Sequence, residues 1–143
     1  DMKEDKCKFQ FIGDLSLLPE QTRIGLEKLV DETKDFDEII FTLAVAYGGR
    51  DEIIRGIKKF VKSGENIENL TEENFREFLD VSILPNTDVI VRTGGDYRTS
   101  GYMLYDSPYA ELYFTDRKWP EFDETDLQKV IDFFENSKRN FGK

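Results

Sequence analysis

The sequence predicts an α/β fold in which a mostly parallel sheet carries helices on both faces. Three observations lead there. Strand-like and helix-like segments alternate along the 143 residues. The segment Ile39 to Ala46 is nearly all apolar, as strands covered on both faces are. The segment after it repeats its apolar residues at helical spacing. Such alternation gives parallel strands joined by right-handed crossovers.

The elements follow in order. Lys8 to Ile12 reads as a strand, ended by Gly13-Asp14. A helix is expected from about Pro19 to Lys34, with proline in its first turn and Ile24, Leu26, Leu29 and Val30 on its apolar side. Ile39 to Ala46 is the second strand, and Tyr47-Gly48-Gly49-Arg50 turns the chain. A helix from Asp51 carries Ile53, Ile54, Ile57, Phe60 and Val61, the strongest helical pattern present. Thr71 is placed to cap a short helix bearing Phe75, Phe78 and Leu79. Asp88 to Val91 is a strand, as is Leu112 to Phe114. Asp123 caps a last helix with Leu127, Val130, Ile131 and Phe134 on one face. Repeats and low-complexity segments are absent.

Length and composition fit one soluble domain: 35% of residues are charged and 38% hydrophobic. Cys7 is the single cysteine and there is no histidine, so neither a zinc site nor a nucleophile–histidine pair is expected. The lone thiol and the charged N-terminus, free of a signal pattern, imply a cytoplasmic location. The net charge of −10 argues against nucleic-acid binding. It leaves room for a small anionic ligand at a local arginine pair. Any metal is expected to be a hard ion such as Mg²⁺, held by carboxylate oxygens.

The segment Val91-Arg92-Thr93-Gly94-Gly95-Asp96-Tyr97-Arg98-Thr99-Ser100 invites such a ligand. In open α/β sheets, ligands bind beyond the carboxyl ends of strands. Two glycines let backbone N–H groups approach an anion. Arg92 and Arg98 add forked, permanently charged donors that match phosphate oxygens, and Ser100 adds a hydroxyl. The competing reading is a pair of surface salt bridges with Asp96 as the acceptor, and the sequence leaves both open. Glu111 interrupts the apolar and aromatic stretch Tyr109 to Phe114. It is either one half of an ion pair or a Mg²⁺ ligand. Arg50 is expected to support a neighbouring loop, and Trp119 to Asp123 to be a packed entry to the last helix.

The run Arg92 to Gly101, the run Tyr109 to Phe114 and Trp119-Pro120-Glu121-Phe122 together resemble the C-terminal signature of the cis-prenyltransferases. Phe11-Ile12-Gly13-Asp14 and Ala46 to Ile53 are similar to the family's middle motifs, in a form closer to its archaeal branch. The resemblance implies condensation of isopentenyl diphosphate with an allylic diphosphate, assisted by Mg²⁺, to give cis-polyprenyl diphosphates. It implies that Arg92, Arg98 and Ser100 bind isopentenyl diphosphate and that Glu111 is a Mg²⁺ ligand. It implies a homodimer whose product is a membrane lipid, with at most peripheral membrane contact.

Three departures stand out. The family's Met-Asp-Gly-Asn strand, which bears its catalytic aspartate, is absent from this sequence, so no catalytic residue is assigned. Residues 1–143 are accordingly expected to be the C-terminal portion of a single cis-prenyltransferase domain, truncated at the N-terminus and inactive alone. The alternative is a non-catalytic partner subunit of a heterodimeric enzyme. The family's closing Arg-x-Gly is matched here by Asn140-Phe141-Gly142, with Arg139 one place earlier, and its usual Trp-Gln is replaced by Tyr105-Asp106.

Overall fold

The fold comes from a computed structural model that describes residues 6–137, so the Arg139 to Gly142 motif lies outside the described residues. The chain divides into two compact units, Asp1–Asp80 and Val81–Lys143.

In the first unit β1 (Cys7–Ile12) and β2 (Ile39–Ala44) pair in parallel, Cys7 opposite Ile39 and Ile12 opposite Ala44. Between them runs α1 (Glu20–Thr33), with Pro19 just ahead of it. Thr33 fixes the helix to the sheet: its buried hydroxyl accepts from the Phe9 N–H at 3.0 Å and donates to the Leu29 carbonyl at 2.8 Å. Phe9, Ile12 and the free thiol of Cys7 are buried.

The expectation that β2 is covered on both faces fails. Ile39, Ile40, Phe41 and Leu43 are all exposed. The reason is coverage: among the described residues the sheet has two strands, and α1 packs on β1. An apolar run reports what a strand is built to bury, not what covers it here.

The helix α2 (Gly49–Ser63) ends at Gly64 in the left-handed conformation, φ 76°. It buries Glu52, Gly56 and Phe60, and leaves Ile54, Ile57 and Val61 exposed. The buried side faces α3 (Glu72–Phe75) and the tight turn Arg76–Phe78 that continues it, with Phe60 and Phe78 edge-to-face at 5.4 Å. Thr71 caps α3 as expected. Gly56 permits the close approach, because a Cβ there would stand 2.6 Å from Leu79 Cδ2 and 3.3 Å from Phe75 Cζ. Gly56→Ala should therefore destabilise the chain by about 1 kcal/mol, overpacking exceeding the gain in helix propensity. Urea unfolding measures this, and a rise in midpoint would count against it.

Asp80 closes this unit. Its carboxylate receives two hydrogen bonds from Arg55, at 2.9 and 2.6 Å, one from Lys59 at 3.2 Å, and one from the Gly13 N–H at 3.1 Å. Gly13 sits at φ +114°, where a Cβ would lie 2.0 Å from the Val45 carbonyl oxygen. The turn after β1 is thus possible only for glycine, and Asp80 ties it to α2.

The second unit holds β3 (Val89–Arg92), β4 (Glu111–Phe114) and α4 (Glu124–Asn136). The strands pair in parallel, Val89 opposite Glu111 and Arg92 opposite Phe114. The sheet predicted from sequence therefore takes the form of two separate parallel pairs among the described residues. Asp123 caps α4 through a capping box with Asp126. The helix buries Asp126 and Val130, and Phe133 meets the Tyr113 ring at 5.3 Å. Leu127 and Ile131, on the face expected to pack, remain exposed.

Candidate functional site

The site grows from the end of β3. Arg92 is the last strand residue, and Gly94 and Gly95 follow in the left-handed region at φ 91° and 80°. Their N–H groups do not point to a ligand, as the sequence suggested. Gly94 donates to the Arg117 carbonyl at 2.7 Å and Gly95 to the Thr115 carbonyl at 3.0 Å. The turn is stitched to the segment after β4, and a Cβ on Gly95 would come within 3.2 Å of Asp116 Oδ1.

That segment has its own anchor. Arg117 Nε donates to Asp126 Oδ2 at 3.1 Å, and Lys129 Nζ donates to Asp126 Oδ1 at 2.9 Å. The Lys129 hydrogen bond, opposed by desolvation and aided by the Asp123 N–H and the Arg117 charge, holds the Asp126 carboxyl below its ordinary value. A hydrogen-bonded path thus runs from α4 through Arg117 to Gly94. The sequence reading missed it, because Asp126 and Arg117 carry no motif of their own.

On this base the two arginines meet. Arg92 Nη1 donates to the Arg98 carbonyl at 2.5 Å and to Ser100 Oγ at 3.0 Å. Arg92 Nη2 donates to Asp96 Oδ2 at 2.9 Å, and Arg98 Nη2 donates to the same oxygen at 2.6 Å. The side chains are 26% (Arg92), 45% (Asp96) and 62% (Arg98) exposed, so the cluster opens outward through Arg98. The salt-bridge reading is therefore realised in the free protein, and it brings both guanidinium groups to one point. Arg92, Arg98 and Ser100 are together, as expected from sequence.

Beside them lies a cavity of about 200 Å³ lined by Ile90, Val91, Arg92, Thr99, Tyr102 and Phe114. Pockets for drug-sized ligands run from about 300 Å³ upward, so this one has room only for a smaller group. A wider, open hollow of about 420 Å³ follows α4 at Lys129, Asp132, Phe133, Asn136 and Ser137, and it has no arginine in its wall.

Glu111 stands apart. It opens β4 opposite Val89, whereas Arg92 is opposite Phe114. Three strand residues, about 10 Å, separate the two levels. The carboxylate is half-buried. It has neither an ion pair nor a side-chain hydrogen bond among the described residues, so the ion-pair alternative is not realised there. No group of three acidic, cysteine or histidine residues able to hold a metal exists among the described residues.

The other loop is a strand-to-helix turn, with Gly48 leading into α2. Tyr47 donates its hydroxyl hydrogen to Glu52 Oε2 at 2.6 Å, which accounts for a glutamate buried in the helix. Arg50, expected to support a neighbouring loop, is exposed and makes no side-chain bond among the described residues. Trp119, expected to pack, is exposed and stacks on Phe122.

Comparison with known proteins settles the family. Residues 1–142 match the family model described as "Putative undecaprenyl diphosphate synthase". The chain belongs to the undecaprenyl diphosphate synthase family of prenyltransferases. Within this family it is 37% identical to an isoprenyl transferase of Fusobacterium nucleatum, over 99% of this chain and 60% of the relative. It is 40% identical to a Picrophilus torridus tritrans,polycis-undecaprenyl-diphosphate synthase (geranylgeranyl-diphosphate specific), over 95% of this chain and 55% of the relative. Among solved prenyltransferase structures, a "probable undecaprenyl diphosphate synthase" from Campylobacter jejuni superposes with a TM-score of 0.89 at 33% identity, covering 100% of this chain and 66% of that one. Lavandulyl diphosphate synthase from Lavandula x intermedia, solved with dimethylallyl diphosphate, gives 0.90 at 31% identity, covering 96% and 61%. The chain thus spans a little over half the length of the curated prenyltransferases it matches.

Proposed function

We propose that this chain supplies the isopentenyl diphosphate site of a cis-prenyltransferase. The whole enzyme condenses isopentenyl diphosphate with an allylic diphosphate into a cis-polyprenyl diphosphate. The observation that carries this reading is the convergence of Arg92 and Arg98 on one acceptor point, beside a small apolar cavity whose wall includes Arg92. Charge-assisted, forked donors suit a diphosphate, and the cavity suits a five-carbon tail. Arg92 and Arg98 bind the head group, Ser100 contributes its hydroxyl, and Ile90, Val91 and Phe114 exclude water from the tail.

Glu111 is the carboxylate offered to Mg²⁺, because the residue is half-buried and its side chain has no partner among the described residues. Its level lies about 10 Å along the strands from that of Arg92, so an ion shared with the diphosphate would have to lie between them. The bound ion would neutralise diphosphate charge. Glu111→Gln should leave Mg²⁺-free binding of isopentenyl diphosphate unchanged and remove a roughly tenfold gain on adding Mg²⁺. Equal gains in both proteins would remove Glu111 from the metal site.

No Met-Asp-Gly-Asn stretch occurs in the 143 residues, and none of them is assigned a role at the allylic centre. On this reading residues 1–143 are the C-terminal portion of a single cis-prenyltransferase domain, which works as a cytoplasmic homodimer. Its contact with the lipid product is at most peripheral on this reading, and no helix among the described residues is long and apolar enough to cross a membrane. The test has two parts. Calorimetry should find isopentenyl diphosphate bound more tightly than inorganic pyrophosphate, because the tail fills the cavity. A Mg²⁺-dependent radiolabel assay should find no chain elongation by this chain alone. Equal affinity for both ligands would refute the site, and product formation would refute the division of labour.

A further inference from the structure

The shared contact of the two arginines has a chemical consequence. Asp96 Oδ2 accepts from Arg92 Nη2 and from Arg98 Nη2 at once, so one oxygen marks the point to which both guanidinium groups are aimed. An anion bridging the same two donors needs an oxygen at that point. We propose that Asp96 is an internal counter-ion of the site, a placeholder that a diphosphate oxygen displaces on binding. This rests on the diphosphate-site reading and adds the residue that opposes and gates entry.

Three features make displacement feasible. Asp96 follows the Gly94-Gly95 turn, whose N–H groups are bonded to Arg117 and Thr115, so its backbone stays fixed while its side chain rotates. The Asp96 side chain is 45% exposed, so water can solvate the carboxylate as it leaves, and exposed ion pairs are weak. Arg92 meanwhile keeps its Nη1 bonds to the Arg98 carbonyl and Ser100 Oγ, which preserve the loop without Asp96.

Charge supplies the direction. Two guanidinium groups against one carboxylate leave the trio positive, enough to attract an anion. A carboxylate kept in place would repel an arriving diphosphate across a few ångströms. The placeholder also keeps the arginines assembled when the site is empty, so it opposes weakly charged anions and yields to a polyanion.

The test is calorimetric titration of the chain with inorganic pyrophosphate and with isopentenyl diphosphate, using wild type, Asp96→Asn, Asp96→Ser and Arg98→Ala. Asp96→Asn should bind pyrophosphate about fivefold more tightly than wild type, in the range an exposed ion pair supplies. Asp96→Ser should shift in the same direction, and Arg98→Ala should bind more weakly. Unchanged or weaker binding in both Asp96 variants, with the Arg98→Ala loss intact, overturns the placeholder and leaves the diphosphate site standing. Tighter pyrophosphate binding in the Asp96 variants without competition from isopentenyl diphosphate supports the placeholder and rejects the substrate. Failure of every protein to bind either pyrophosphate or isopentenyl diphosphate overturns both.

Discussion

Asp80→Ala should lower the unfolding free energy of this chain by about 3 kcal/mol, the low end of the cost of breaking a buried ion pair from one side. The regime follows from exposure: the Asp80 side chain is 12% exposed and that of Arg55 19%. Removing the carboxylate leaves Arg55 facing Asp51 alone, frees Lys59, and strips the Gly13 N–H of its acceptor. Because Gly13 forms a turn no other residue can adopt without strain, the damage should reach the end of β1. Urea denaturation checks this as a lower midpoint at unchanged slope. A loss under 1 kcal/mol would mean that the clamp is ornamental.

The same carboxyl predicts a pH dependence. Burial alone would raise its pKa, but hydrogen bonds from Arg55 and Lys59 outweigh that and hold it below the ordinary carboxylate value. The unfolded chain therefore binds more protons than the folded one in acid. The stabilisation is fully present above the unfolded value, about 4, and is lost as pH falls through the lowered folded value. The gap between wild type and Asp80→Ala should accordingly be wide at neutral pH and close in strong acid. A gap that stayed constant would assign the effect to packing.

Arg92→Ala should weaken isopentenyl diphosphate binding by about 100-fold, near 2.7 kcal/mol. Two losses combine. One charge-assisted donor to the head group disappears, and so do the bonds that hold the Arg98 carbonyl and Ser100 Oγ in place. The Arg98 side chain, by contrast, is mostly exposed and among the described residues bonds only to Asp96, so Arg98→Ala should cost about tenfold. Arg92→Lys keeps the charge but not the fork, and should fall between wild type and alanine. Calorimetry separates the cases, and an Arg92→Ala affinity within threefold of wild type would sink the site.

Much of this molecule was legible in its sequence because local rules govern it. The helices, the caps at Thr71 and Asp123, and the four strands follow from period, capping chemistry and turn residues, all short-range. The grouping of Arg92, Arg98 and Ser100 was legible for the same reason: one glycine turn folds a short segment onto itself. What could not be read is set at longer range. Exposure of Ile39, Ile40 and Phe41 depends on which strand the helix α1 covers. Asp80 joins Arg55 and Gly13 across 25 and 67 positions of sequence, with no periodic signal. Gly94 and Gly95 were expected to offer their N–H groups to an anion, but the 115–117 segment takes them instead. Only tertiary pairing decides between those partners.

Cys7 gives the first strand pair a built-in reporter. It is the only thiol in the chain, it is buried, and it sits opposite Ile39 at the start of the β1–β2 register. A thiol-labelling reagent in solution can reach it only when that end of the pair opens. In the limit of fast reclosing, the ratio of its labelling rate to that of an unstructured cysteine peptide is the opening equilibrium constant. Followed with and without isopentenyl diphosphate, that ratio reads whether the ligand steadies this strand pair, without any introduced probe.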